Sequence, residues 1–313
     1  MSTAWIMLIA IGLDAALSWP AALYARIGHP VTWIGALISK LEARLNQGVA
    51  RRAKGVLTAA LVIGIAGGLA AVVEMSVNGI VSNKAQSALF LGILAWPFIA
   101  TRSMYDHVKA VATPLTKGDL ATARLAVSMI VGRDPSALNE AGVSRAALES
   151  LAENTSDGIV APIFWGLVAG LPGIVAYKAI NTLDSMIGHR TERYEAFGWA
   201  SARIDDLVNL IPARLTGLLF ALVSPHPRAS WAAMMRDAKH HRSPNAGWPE
   251  AAMAGALRVR LSGPRAYNGK IAQERWVNEA GAEPEASDLA RGLRLYVRAM
   301  VLMTLGVACL VGI

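Results

Sequence analysis

Residues 158–177 read GIVAPIFWGLVAGLPGIVAY, a stretch without a single charge between Asp157 and Lys178. A helix needs about 20 consecutive apolar residues to cross a bilayer, so this stretch is long enough. It is not a simple span, because Pro162, Gly166, Gly170, Pro172 and Gly173 interrupt it. Such breaks occur at membrane depth where backbone is buried in protein or lines a cavity. The stretch is therefore expected to be a broken or re-entrant helix.

Working outward, further apolar runs cover residues 2–25, 55–77, 85–101, 207–225 and 296–313, the charges within them being Asp14, Glu74, Arg214 and Arg298. Polar loops fill 102–157 and 226–295. The composition agrees: of 313 residues 54 % are apolar and 17 % charged, and the mean hydropathy is +0.40. Soluble domains run nearer about 45–50 % and 25 %. Disorder is excluded by the apolar content, and a disulfide-stapled secreted domain by the lone Cys309. The expected fold is all-α: a polytopic membrane helical bundle with broken or re-entrant helices and cytoplasmic helical loops, forming one domain over 1–313. The N-terminus lacks the basic region of a cleavable signal.

The net charge of +8 follows from where Lys and Arg sit. Arg26–Lys54 and Arg102–Asp157 hold six each, Pro225–Leu295 eleven, and Asn78–Gln86 only Lys84. The positive-inside rule puts the three basic connections in the cytoplasm and both termini outside. Four basic residues in Lys178–Asp206 leave its side open. Because topology explains the charge, nucleic acid is not an expected partner.

Period-two alternation is absent, so helices are expected nearly throughout. Asp134-Pro135 reads as an N-cap and first turn, Gly142 as a break, and Ser144 as the cap of a helix running to about Asn154. Gly64/Gly68 and Gly166/Gly170 are spaced for close helix packing. Gly281–Ser287 reads as a solvated loop.

Polar residues gather in three places. Glu149 and Glu153 share a helix face, with Asn154 and Asp157 at the edge of the long apolar run. They suit a hard cation such as Mg²⁺, or form a solvated face with Arg145 paired to Glu149. The second group is Lys178, Asn181, Thr182, Asp184, His189, Arg190 and Arg193. The third is Arg203, Asp205 and Asp206, with Arg214 beyond. Both are either a site for phosphate or carboxylate, with Asp205 and Asp206 as further metal candidates, or an ion-pair lattice. Ser243–Glu250, containing Asn245 and Pro249, offers a helix N-terminus to an anion or is a plain turn. The histidines, including adjacent His240 and His241, show no metal-ligand spacing. No standard phosphate loop, dinucleotide fingerprint or nucleophile elbow is present.

In order along the chain come His29-Pro30-Val31 with Ile34-Gly35; Val131-Gly132-Arg133-Asp134; and Glu149-x-x-x-Glu153-Asn154-x-x-Asp157-Gly158 with Ala161-Pro162. Asn181-Thr182-Leu183-Asp184-Ser185-Met186-x-Gly188 follows, then Asp205-Asp206 with Ile211-Pro212-Ala213-Arg214, and Ser243 to Glu250. This series, from Asp14 to Gly263, resembles the adenosylcobinamide-phosphate synthase family of cobalamin biosynthesis (CobD/CbiB). Two departures stand out. No Gly-Asp-Pro follows Asp14, and Arg258, Arg260 and Ser262 stand where the family tends toward glycine.

The resemblance implies a multi-pass enzyme of the bacterial inner membrane. It would join aminopropanol, or its phosphate, to the free propionate of adenosylcobyric acid, using ATP and Mg²⁺, as a carbon–nitrogen ligase. Glu149, Glu153, Asp157 and Asp184 would then hold the metal and serve catalysis. Lys178, His189, Arg190, Arg193, Arg214 and Asn245 would bind phosphate or substrate, and Asn154, Asn181 and Thr182 would orient it. ATP requires the site to face the cytoplasm, where other enzymes of the pathway are possible partners. The alternatives are a transporter and a non-catalytic membrane signalling or scaffold relative.

Overall fold

The computed structural model describes residues 3–132, 134–267, 270–272 and 274–312; Arg133 of the second motif and the ends of the first and last apolar runs lie outside them. In chain order the helices are α1 (Thr3–Leu17), α2 (Ala21–Ile27), α3 (Pro30–Leu45), α4 (Arg51–Ile80), α5 (Lys84–Ala95), α6 (Thr101–Leu115) and α7 (Leu120–Ser128). They continue as α8 (Glu140–Thr155), α9 (Ala161–Ile187), α10 (Trp199–Val208), α11 (Leu210–Val223), α12 (Pro227–Asp237), α13 (Gly247–Leu257) and α14 (Ala286–Cys309). A π-helical turn, Ser156–Val160, joins α8 to α9.

Among the described residues, four helical stretches are long and apolar enough to cross a membrane: Arg51–Ile80, Lys84–Leu115, Glu140–Ile187 and Ala286–Cys309. Two bent pairs raise the number to six: α1 with Ala21–Leu45, bent by 108°, and α10 with α11, bent by 46°. The all-α polytopic reading holds. Large apolar side chains stand exposed along α4, Leu57 at 50 % and Leu69 at 63 %, as a lipid-facing surface requires.

By its internal contacts the chain divides into two compact units. The first comprises Met1–Ala100, Ala161–Asn209 and Gly306–Ile313. In it α4 packs along α9, and α1 against α5. Helix α9 breaks as expected: Ala169 (φ −139°, ψ 24°) and Gly170 (φ 63°, ψ −148°) leave helical geometry just before Pro172. The break exposes the backbone N–H of Leu171, which donates to the Glu74 carboxylate of α4 at 2.8 Å. A side chain at Gly170 would strike that carboxylate, since a Cβ there would lie 2.6 Å from Glu74 Oε2. The small-residue pairs differ. A Cβ at Gly166 would lie 2.3 Å from Met7 Sδ, whereas one at Gly64 or Gly68 would meet nothing within 4 Å. The latter pair makes no close packing among the described residues.

The second unit comprises Thr101–Val160 and Leu210–Leu305. Its centre is α13, buried on nearly every side, with Glu250 its one ionisable residue. An all-apolar surface belongs inside a core. Helices α8, α11 and α12 surround it, and Ser230 Oγ of α12 donates to the Ala252 carbonyl at 2.6 Å.

Four local expectations are corrected here. Asp134 caps no helix; it accepts the Ser136 N–H at 2.9 Å in a turn, and α8 begins at Glu140 with Asn139 as its cap, accepting from Gly142 N at 2.9 Å. Gly142 and Ser144 are thus interior to the helix. The Ser243–Glu250 segment offers no free helix start at Trp248 and Glu250, whose N–H groups donate to Asn245 and Ala246 carbonyls. Short strands occur where none was expected: β1 (Leu261–Ser262), β2 (Arg265–Tyr267), β3 (Lys270–Ala272) and β4 (Trp276–Val277), paired antiparallel as β1–β4 and β2–β3. With two or three residues each, they are too brief to show alternation.

Candidate active site

Helix α8 carries Glu149 and Glu153 one turn apart, and its local context gives each a different task. Glu149 is 5 % exposed. Its Oε1 accepts the backbone N–H of Ser262 at 2.7 Å, so its charge is satisfied by β1. Ser262 Oγ in turn donates to Glu250 Oε2 at 3.1 Å. Ser262 holds a left-handed backbone (φ 58°), as does Arg258 at the end of α13 (φ 58°). Glycine adopts that conformation without steric cost, whereas a side chain is strained there.

Glu153, His241 and Glu250 present ligand atoms that all lie within 4.8 Å of one another. His241 Nε2 stands 3.5 Å from Glu250 Oε1, and both side chains are almost fully buried. His241 Nδ1 accepts the backbone N–H of Ser243 at 3.1 Å. A backbone N–H only donates, so the neutral ring carries its hydrogen on Nε2, the nitrogen on the side of Glu250. The two carboxylates then form the oxygen donor set, and His241 orients one of them. One or two carboxylates plus substrate oxygens are what Mg²⁺ takes, so Glu153 and Glu250 fit that ion.

Beside the cluster lies a wall of mixed charge, where Arg242 and Arg275 stand with Glu274. His241 and Ser262 line a cavity of about 400 Å³ together with His240, Arg242, Arg275 and Trp276. Behind it, Arg145 and Arg260 lie over the Trp276 ring at 4.6 and 4.4 Å. Both guanidinium groups bind Glu283, Arg260 through Nε at 2.9 Å. Glu283 is thus an ion-pair hub rather than a solvated loop acid, and Arg145 pairs with it instead of with Glu149. Partial burial pushes the Glu283 carboxyl up, but the hydrogen bonds and charges of Arg260 and Arg145 outweigh it, and the net shift is downward.

Other expected residues of this unit take lesser places. Asn154 donates to the Ser150 carbonyl at 2.9 Å, within its own helix. Asp157 lies on the π-helical turn, a distortion that recurs at functional sites. Asn245 is buried in the loop before α13, its N–H on Ser243 Oγ at 3.2 Å. Arg214 stacks over Trp248 at 4.4 Å and donates to the Leu210 carbonyl at 2.7 Å.

The first unit holds the remaining expected residues. Lys178 Nζ donates to Asn181 Oδ1 at 3.4 Å, and Thr182 Oγ1 to the Lys178 carbonyl at 2.7 Å. Asp184 lies further along the same helix, α9. His189 contacts the Ser185 carbonyl at 2.8 Å. Arg193 holds Glu42 through two bonds of 3.0 and 2.9 Å. Asp205 Oδ2 accepts from Asn209 at 3.0 Å, and Asn209 Oδ1 accepts from Tyr177 at 2.9 Å. Asp206 faces Arg203 at 3.5 Å, with the charge of Arg190 also near. Arg193, Arg203 and Asp206 are therefore engaged in ion pairs and Asp205 in a polar chain.

Sequence reading missed His241, Glu250 and Ser262. Glu149 and Ser262 are 113 positions apart, and the groups meet only because α13 lies against α8. The buried Glu250 was the available signal, as the one charge in an otherwise apolar helix.

Residues 7–296 match a family described as CobD/Cbib protein. A cobalamin biosynthesis protein CobD of Rhodobacter capsulatus is 66 % identical over 306 residues, covering 97 % of this chain and 96 % of that protein. Proteins of the same name from Brucella suis biovar 1 and Rhizobium meliloti are 46 % and 45 % identical, covering 96 % and 97 % of this chain and 94 % and 95 % of their own. No solved structure matches.

Proposed function

Since the chain belongs to the CobD/CbiB family of cobalamin biosynthesis, we propose that it is the acid–amine ligase that joins aminopropanol or its phosphate to adenosylcobyric acid. The observation that carries this reading is the Glu153–His241–Glu250 cluster beside a cavity lined with arginine. A carboxylate is a poor acylating agent, so the corrin propionate is first activated with ATP. Positioning and charge neutralisation dominate such phosphoryl chemistry. Mg²⁺ held by Glu153 and Glu250 would supply charge neutralisation at the phosphate. His241 keeps Glu250 oriented, Glu149 fixes the β1 backbone at the edge of the site, and Arg242 and Arg275 attract the anion. Asp157 of the same unit is retained as a further acidic candidate; within the first unit Asp184, Lys178, Asn181 and Arg190 are candidates of their own. The site is on the cytoplasmic side of the bacterial inner membrane, where ATP is.

The test is turnover of the detergent-purified protein with adenosylcobyric acid, aminopropanol phosphate, ATP and Mg²⁺, read by the mass of the corrinoid product. Amide formation that is lost in Glu250→Gln is expected. A transporter or scaffold predicts neither product nor corrinoid-dependent ATP consumption, and such a result would displace the ligase reading.

A further inference from the structure

The second unit contains a larger cavity of about 740 Å³, lined among others by Arg236, His240, Arg275, Trp276 and Glu279. It shares His240, Arg275 and Trp276 with the 400 Å³ cavity that reaches His241 and Ser262. The two are adjoining compartments, and the smaller one ends at His241 and Ser262, the two side chains next to Glu250. Each lies within the range of small-molecule sites.

The cations along this wall are not equivalent. Arg236 is committed to both oxygens of Asp237 at 2.8 and 2.7 Å. Arg242 faces Glu274 at 3.8 Å. Arg145 and Arg260 are tied to Glu283. Among the described residues no carboxylate pairs with Arg275, whose side chain is exposed where the two compartments join. An arginine kept out of ion pairs beside a cavity retains all its donors for an anion, and its planar fork matches phosphate oxygens. Trp276 offers an apolar wall next to it.

We propose that the paired cavities bind a phosphoryl-bearing anion, with Arg275 as its cationic partner and the phosphate end directed toward Glu153 and Glu250. Two ligands carry that chemistry, a nucleoside triphosphate and an amino-alcohol phosphate. The proposal rests on the proposed function only for the choice of these two.

The experiment is calorimetric titration of the full-length protein in detergent, with Mg²⁺, using a non-hydrolysable ATP analogue, inorganic triphosphate and aminopropanol phosphate separately. The Arg275→Ala protein is titrated in parallel, and its unchanged thermal midpoint establishes that it is folded. Loss of one charge-assisted contact is expected to weaken binding by about tenfold or more, with Arg275→Lys intermediate. Weakening for the analogue and for triphosphate identifies a nucleotide phosphate chain. Weakening for aminopropanol phosphate alone identifies the smaller substrate. Equal affinities in wild type and Arg275→Ala, or no binding of any of the three, overturns the proposal. Arg275-dependent binding by a protein that forms no amide would remove the ligase reading and leave the cavity assigned. Amide formation insensitive to Arg275→Ala would do the opposite.

Discussion

Glu250 sits at 0 % exposure in a helix otherwise built from Ala, Gly, Met, Leu, Pro and Trp. A buried carboxylate is costly unless it has partners, and His241 and Ser262 supply them. Glu250→Gln keeps the shape and removes the charge. It is expected to lower Mn²⁺ affinity, read by electron paramagnetic resonance, by at least the roughly 10–100-fold that even an outer-shell change costs. His189→Ala, whose ring contacts a helix carbonyl, should leave that affinity unchanged. Arg258 offers a second residue-level test. It is exposed and held at φ 58°, a conformation that strains any side chain. Arg258→Gly should stabilise the protein by about 0.5–1 kcal/mol, seen as a raised thermal midpoint. At this scale legibility was partial. Glu149 and Glu153 were found because helical spacing puts them on one face. His241 was passed over because adjacency to His240 says nothing about a partner in another helix.

At the scale of elements, the break in α9 was legible because Gly170 and Pro172 are chemical statements about backbone. Its stabilising partner was not, since Glu74 comes from the middle of α4, almost a hundred positions earlier (97 from Leu171). Gly170→Ala should cost about 1–3 kcal/mol, because Gly170 lies in a glycine-only backbone region and a Cβ would collide with Glu74. Gly64→Ala in α4, facing open space, should cost nothing measurable; equal effects on thermal midpoint would refute the account of the break. The loop before α14 carries a pH-dependent element. The Glu283 carboxyl is held below its ordinary value, so its contribution is complete above the unfolded carboxylate range and is lost as pH falls through the folded value. Because Glu283 is 40 % exposed, the contribution is at most about 1 kcal/mol. Glu283→Gln should therefore lower the thermal midpoint at pH 7, and the gap should narrow as pH falls below the ordinary carboxylate range.

Across the whole molecule, hydropathy made the membrane fold readable, since six apolar runs correspond to four long helical stretches and two bent pairs. The short strands and the carboxylate cluster escaped because both are set by contacts between distant segments. Charge distribution makes one more statement that can be checked. Eleven Lys and Arg residues lie in Pro225–Leu295, against Lys84 alone in Asn78–Gln86. By the positive-inside rule this asymmetry predicts the former in the cytoplasm and the latter outside, the orientation that the proposed ATP-dependent reaction requires. In a Cys309→Ser background, Ser82→Cys should react with a membrane-impermeant maleimide in intact spheroplasts. Lys239→Cys, on the exposed end of the 225–295 segment, should react only after the membrane is opened. The reverse pattern would place the carboxylate cluster away from nucleotide and would rule out an ATP-dependent reaction there, whatever the family.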